Sequence, residues 1–161
     1  EIIFDLHILI EILFPDEPDE PESCLYELSM DQVRVSDKQG AAEGKLELTI
    51  TGRSDGGCAT SGPSPTGYYK LAKSSSWTSV TKHLCTYEVE EGESRVISVT
   101  ADVWSHDAGT TGADDYGSAT GSLTLECGAG PLEDTVTADL PGGALLENDG
   151  KVKVKFRASE L

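Results

Sequence analysis

The first fourteen residues alternate between an apolar row and a mixed row. The apolar row is Ile2, Phe4, Leu6, Ile8, Ile10, Ile12 and Phe14. The other row carries Glu1, Asp5, His7 and Glu11. A period of two is typical of a β-strand, and isoleucine favours extended backbone. At about 3.3 Å per residue such a strand would be about 40 Å long, which exceeds an ordinary core strand.

An acidic, proline-rich stretch follows, from Pro15 to Glu22. Its prolines favour polyproline geometry and its carboxylates repel one another, so we expect a semi-rigid spacer. The sequence therefore divides into residues 1–23, the apolar strand and spacer, and residues 24–161, a folded body. Because the chain begins at Glu1 rather than Met, we expect a processed product or a fragment.

The body consists of short apolar–polar alternations separated by clusters of Gly, Ser, Asp and Pro. Two clear rows are Ile97, Val99, Ala101 and Val103, and Val152, Val154 and Phe156. Strands are predicted at Leu25–Val35, Lys45–Thr51, Tyr68–Ala72, Leu84–Glu90, Arg95–Trp104, Ser118–Glu126, Thr135–Leu140 and Lys151–Arg157. About eight strands at this spacing predict an all-β fold, an antiparallel β-sandwich. The segment from Gly52 to Gly67 is predicted as one long loop.

The charge balance excludes some partners. The chain has 29 acidic and 12 basic side chains and a formal net charge of −17. Binding to a nucleic acid backbone is disfavoured, because no cluster of Lys and Arg is present to offset that repulsion. An anionic membrane is disfavoured unless divalent cations bridge the two surfaces.

The four cysteines are Cys24, Cys58, Cys85 and Cys127, and no two form a CxxC pair. A zinc or redox site is therefore not indicated, and we expect two disulfides. Disulfides, with few Met and Asn residues, indicate an extracellular or cell-surface protein. The spacing alone allows three pairings.

Two runs in the body resemble a known signature. Val99 to Asp107, and Asp114 to Ala119 beyond a Gly/Thr loop, are similar to two strands and their connecting loop in the C2 domain, a calcium-dependent lipid-binding sandwich. Gly67 to Leu71 and Gly150 to Val154 resemble two further strands of that family.

The resemblance implies an eight-stranded sandwich with calcium held at one end by aspartates of two loops. Asp107 matches a family ligand, Asp114 or Asp115 matches another, and Asp55 lies in the first loop. Ser105 stands where the family usually has Asp, so the resemblance implies one calcium site completed by carbonyls and water. It also implies a disulfide between Cys58 and Cys85, which leaves Cys24 for Cys127.

No catalytic motif is present, and we expect that the protein is not an enzyme. The three histidines, His7, His83 and His106, lie on or beside predicted strands. Ser105, His106 and Asp107 are adjacent in sequence, and neighbouring side chains on a strand point apart, so they do not form a catalytic triad. The aromatic residues Trp77, Trp104, Tyr68, Tyr69 and Tyr116 are interpreted as core or strand-edge residues rather than a carbohydrate platform.

The apolar row and unpaired backbone of residues 2–14 need a partner, which strand addition to another subunit's sheet would supply. Such a contact joins unlike surfaces and can propagate into a fibre. We therefore hypothesise an extracellular structural subunit whose partners are copies of itself. One alternative is a C2-like module that uses calcium at Asp55, Asp107, Asp114 and Asp115 to bind membranes. Another is a monomer whose first strand enters its own sheet.

Overall fold

The protein is described by a computed structural model that covers residues 22–38, 46–62, 69–71, 76–106, 115–140 and 150–161. These residues form nine β-strands and one short 3₁₀ turn, Asp55–Gly57. The strands are β1 (Ser23–Lys38), β2 (Leu46–Ser54), β3 (Cys58–Gly62), β4 (Tyr69–Leu71), β5 (Thr78–Glu90), β6 (Ser94–Ser105), β7 (Asp115–Glu126), β8 (Leu132–Leu140) and β9 (Gly150–Glu160).

The strands form two antiparallel sheets. In the first sheet the order is β5-β1-β9-β8. In the second sheet the order is β3-β2-β6-β7, and β4 also pairs with β2. Strands β4 and β3 share one edge of β2, because β4 pairs with its first residues and β3 with its last. The predicted all-β sandwich is therefore confirmed, with nine strands instead of about eight.

The alternating rows of the sequence form the interior. Side chains of Ile97, Val99, Ala101 and Val103 on β6 are fully buried, as are those of Val152, Val154 and Phe156 on β9. Each row faces the opposite sheet because successive side chains of a strand point to opposite sides. A layer of such rows between two sheets forms the single core of a sandwich.

The structure corrects the prediction for the segment that begins at Gly52. Residues 52–62, predicted as the first part of a long loop, form the end of β2, a tight turn and all of β3. The turn is possible because Gly56 and Gly57 both adopt left-handed backbone, with φ of 80° and 81°. Strand β3 has the sequence CATSG, which lacks the large apolar residues that mark a strand.

The disulfides join the two sheets at different places. Cys58 on β3 bonds to Cys85 on β5, with Cα atoms 5.8 Å apart. Cys24 on β1 bonds to Cys127, just after β7, with Cα atoms 5.7 Å apart. Both bonds cross from the second sheet to the first. This is the pairing that the C2 resemblance implied.

Candidate functional site

The predicted assembly strand lies outside the described residues. All seven members of its apolar row, Ile2, Phe4, Leu6, Ile8, Ile10, Ile12 and Phe14, precede residue 22. At the start of the described body, the carbonyl of Glu22 accepts a hydrogen bond of 2.7 Å from the amide of Glu91. A strand added from outside would need an exposed edge strand of the body as its acceptor.

One long side of the sandwich is closed by close backbone packing between β7 and β8. A Cβ atom on Gly117 would clash with the backbone carbonyl of Asp139. Nearby, the carboxylate of Asp134 accepts a hydrogen bond of 2.9 Å from the amide of Ser122 on the open edge of β7. An edge whose amides are already paired is a poor acceptor for another strand.

On the opposite side, where β3 and β4 face β5, two leucines of the core retain slight exposure. Leu71 on β4 and Leu84 on β5 are each 9% exposed, the largest exposed fractions among the buried apolar residues described. Tyr69 and Val80 are partly buried beside them. This side therefore offers an edge strand, β5, beside two slightly exposed leucines of the core.

Strand β5 is the longest edge strand described, with 13 residues. It contains an irregularity opposite Met30 and Gln32, where its register with β1 shifts. Thr81 lies in this irregularity with a φ of 27°, and its hydroxyl donates to the carboxylate of Asp31 at 3.3 Å. Such a bulge twists an edge strand and limits uncontrolled pairing.

The aspartates of the implied calcium site do not all lie together. Asp55 is in the turn between β2 and β3, where its carboxylate accepts a hydrogen bond of 2.6 Å from the amide of Ser98. Strand β2 ends one residue earlier, opposite Val99. The Asp55 carboxylate thus continues the pairing of β6 beyond the end of β2.

Asp115 lies at the other end of the same sheet. It begins β7 opposite Ser105. Seven residues separate Ser98 from Ser105 along β6, which corresponds to about 23 Å. Asp55 and Asp115 therefore do not share a site, and Asp107 and Asp114 lie outside the described residues. Within the described ranges, no three His, Cys, Asp or Glu side chains are arranged to hold a metal ion.

A buried carboxylate that the sequence did not single out lies on the outer face of the second sheet. Asp102 on β6 is 8% exposed. It accepts hydrogen bonds from the hydroxyls of Tyr116 at 2.7 Å and Ser118 at 2.8 Å, and it pairs with Arg53 at 2.5 Å. Burial alone would raise the pKa of Asp102, but the two hydroxyl donors and the Arg53 guanidinium outweigh it and hold that pKa below its usual value.

The structure decides between the core and strand-edge interpretations for Trp104, near the end of β6, and Tyr116, on the edge strand β7. Trp104 and Tyr116 are each 42% exposed and face each other across β6 and β7, with ring centroids 4.5 Å apart. They are not core residues. The period-two pattern already places Trp104 on the row opposite Val103, which is the signal that could have predicted this.

The described histidines have local partners. A ring nitrogen of His106 lies 3.0 Å from the hydroxyl of Thr49, and its amide donates to the carbonyl of Glu47 at 2.8 Å. A ring nitrogen of His83 lies 3.2 Å from the carboxylate of Glu27. His7 lies outside the described residues.

No helix among the described residues is long and apolar enough to cross a membrane. The two disulfides are consistent with a secreted or surface protein.

Comparisons with known proteins return structural similarity only. No protein-family model and no curated protein matches the chain. Several solved structures are similar to it, and three of them are described in turn. One is a C2 domain, 11% identical over 84% of this chain and 98% of that chain, with a TM-score of 0.38. Another is a C2 domain protein from Ramazzottius varieornatus, 14% identical over 90% and 93%, with a TM-score of 0.40. The third is human GIVD cytosolic phospholipase A2, 8% identical over 88% of this chain and 17% of that one, with a TM-score of 0.35.

Two of these structures are C2 domains, the family that the sequence resembles. At these identities and TM-scores the likeness concerns the fold alone and does not indicate a ligand.

Proposed function

We propose that this chain is an extracellular structural subunit that assembles by donating its N-terminal strand, Ile2–Phe14, to the sheet of a neighbouring copy. The observation that supports this is the division between a body that forms its own core and an apolar, alternating sequence, residues 2–14, that precedes it. The described body buries two facing rows of side chains and is joined across its sheets by two disulfides. It therefore does not depend on the first strand for a core.

The acceptor in this proposal is the outer edge of β5. Added there, the donor would extend the first sheet, and its apolar row would cover Leu71 and Leu84. The donor segment Ile2–Phe14 has 13 residues, which is more than enough to pair along the regular part of β5, Cys85–Glu90, beyond the bulge at Thr81. Backbone pairing would supply affinity and the apolar row would fix the register. Because donor and acceptor surfaces differ, each copy can bind the next, and a fibre results.

The first test places a carboxylate in the apolar row. Ile8→Asp should abolish fibres, seen by negative-stain electron microscopy and sedimentation velocity, because a buried unpaired charge costs several kcal/mol, about 3 or more. The body should keep its wild-type near-ultraviolet circular dichroism. Ile10→Asp should do the same. His7→Asp is the matched control, since it adds a carboxylate one residue away on the other row and should leave fibres intact.

Three results would decide against the proposal: fibres that persist in Ile8→Asp, loss of fibres in His7→Asp as well, or an unfolded body in Ile8→Asp. The last would favour insertion of the strand into its own sheet. Hydrogen exchange supplies a test of the acceptor. Assembly of the wild-type chain should protect amides of β5 and leave those of β8 unchanged.

A further inference from the structure

The expectation that the chain has no cluster of Lys and Arg is wrong: five of its twelve basic residues line up on the outer face of the first sheet, because the pairing of β1 with β9 brings them together. They are Arg34 on β1 and Lys151, Lys153, Lys155 and Arg157 on β9, and we call them the basic stripe. The β9 members occupy alternate positions, opposite a fully buried row. Arg34 pairs with Lys153 across the two strands, which makes the stripe continuous.

Some members of the stripe have acidic partners among the described residues, and others do not. Lys151 lies 4.0 Å from Asp139 and Lys155 lies 3.2 Å from Glu133. No acidic side chain among the described residues forms an ion pair with Lys153 or Arg157. The same face also carries acidic residues, such as Glu27 on β1 and Glu133 on β8, so the positive charge is concentrated in the stripe itself. In a chain with a net charge of −17, such a concentration marks the stripe for an anionic partner.

An aromatic ring lies within the stripe. The indole of Trp77 has the Arg34 guanidinium 4.9 Å and the Lys155 ammonium 5.0 Å from its centroid. These cation–π contacts hold the two cations on the same face as Lys153. Indole rings also bind the flat faces of prolines in extended proline-rich segments.

We propose that the basic stripe binds the acidic spacer, Pro15–Glu22, of a second copy of this chain. The spacer carries five carboxylates and three prolines in eight residues, with a proline at every third position. A polyproline helix has three residues per turn, so the prolines align on one edge and the carboxylates on the other two. When the proline edge meets Trp77, carboxylates flank it on both sides and face the lysines.

The geometry favours the spacer of another copy over the chain's own. The body begins at Glu22, and Gln32, the partner of Lys155, lies ten residues further along β1, about 34 Å away. Residues 15–21 in polyproline geometry span about 22 Å. A spacer anchored at Glu22 therefore cannot cover Lys155, Lys153 or Lys151 of its own body.

A spacer that arrives from the neighbour can cover them. This inference rests on the proposed function, in which the neighbour's strand adds to the edge of β5. The β9 strand is three strand spacings from that donor strand, about 14 Å across the sheet. The spacer follows the donor strand directly in sequence, and its length of about 22 Å is sufficient to reach the stripe.

The test separates the spacer contact from the strand contact. A fluorescent peptide with the sequence of residues 15–22 is titrated against the full-length Ile8→Asp chain, and binding is followed by fluorescence polarisation. We expect saturable binding that weakens about tenfold as salt rises from about 50 mM to about 500 mM, because the Debye length falls from about 14 Å to about 4 Å and the charges are screened. Lys153→Glu in the same background should abolish binding. Lys70→Glu is the matched control, since it makes the same charge change on the second sheet and should bind as well as its parent.

A pair of variants with exchanged charges tests the contact between the spacer and the basic stripe in the assembled protein. In the otherwise wild-type chain, Lys153→Glu should reduce assembly, and adding Glu20→Lys in the spacer should restore part of it. The inference is overturned if the peptide fails to bind at millimolar concentration, or if Lys153→Glu binds it unchanged. It is also overturned if vesicles containing phosphatidylserine, in calcium-free buffer, bind through Lys153 while the peptide does not. Fibres that persist in Ile8→Asp together with Lys153-dependent peptide binding would refute strand donation alone.

Discussion

On the side of the sandwich where β7 meets β8, the backbones of the two strands pack directly against each other. On the side where β3 and β4 face β5, side chains and a disulfide fill the space between the sheets. Gly117 and Gly121 on β7 leave no room for a Cβ, because β8 lies against them. On the other side, Cys58 and Cys85 bridge the sheets and two leucines of the core remain slightly exposed. The difference indicates that a sandwich can be sealed on one side and still have an edge available for a partner on the other.

The largest expected effect concerns the disulfides. The Cys24–Cys127 bond joins residues 103 apart in sequence and the Cys58–Cys85 bond joins residues 27 apart. In the chain-entropy account, the longer loop stabilises by about 5 kcal/mol and the shorter by about 4 kcal/mol. Replacing each pair with alanines and measuring urea denaturation should give free-energy losses in that order. Equal losses, or the reverse order, would contradict the entropic explanation.

The removal of Cys58–Cys85 also tests the comparison of the two sides. That double variant should speed hydrogen exchange in β3 and β5 and leave β7 and β8 protected. If exchange rises equally on both sides, they are not independently closed.

The second effect compares one Gly→Ala change on each side. In Gly117→Ala the new methyl group meets the backbone of Asp139, which cannot move without displacing β8. We expect a loss of about 2–3 kcal/mol in the free energy of unfolding. In Gly62→Ala the methyl group meets the hydroxyl and ring of Tyr69, a single side chain rather than the backbone of a neighbouring strand, and we expect a smaller loss of about 1 kcal/mol. Chemical denaturation of both variants checks this, and similar losses would remove the distinction between a rigid side and an adaptable one.

The smallest effect concerns the cluster around Asp102, which links the strands between the two sides. Its partners are Arg53 on β2 and Tyr116 and Ser118 on β7. Asp102→Asn should lower the free energy of unfolding by about 1–3 kcal/mol at neutral pH, because two hydrogen bonds to a charged group are weakened. The control is Asp139→Asn, whose side chain is 72% exposed and lies 4.0 Å from Lys151, and which should change little.

The pH dependence of that loss has a defined sign. The folded-state pKa of Asp102 is lowered, so its contribution is fully present above the unfolded pKa of about 4 and disappears as pH falls through the folded-state pKa. Wild type and Asp102→Asn should therefore converge in stability on the acid side. A difference that stays constant down to the acid limit would show that the charge of Asp102 is not responsible.

Much of the fold could be predicted because alternation is a local signal. Rows such as Val152, Val154 and Phe156 record which face of a strand is buried, and each is fully buried here. Strand β3 was missed because its small residues carry no such record. The hairpin that contains it follows from two left-handed glycines and from pairing with β2, a partner supplied by the rest of the chain.

The candidate site was less predictable because it depends on contacts between residues that are far apart in the chain. Sequence placed Asp55 with the other loop aspartates, but the position of the β2–β3 turn puts it beside Ser98, about seven strand residues from Asp115 along the sheet, or about 23 Å. It gave no reason to pair Asp102 with Arg53, which is 49 positions away in the chain and adjacent only after β2 and β6 align.

The sequence by itself determined the class of fold, the extent of the interior rows and the contrast between an acidic chain and a lysine row on its last strand. Those properties depend on residue type and on the alternation of side chains between the two faces of a strand, and this alternation occurs in every all-β fold. Only the tertiary structure decided which strands became edges, which cysteines met, and that Arg34, Trp77 and the lysines of β9 share one face. These depend on contacts between residues far apart in the chain, and such contacts are fixed by how the sheets pack.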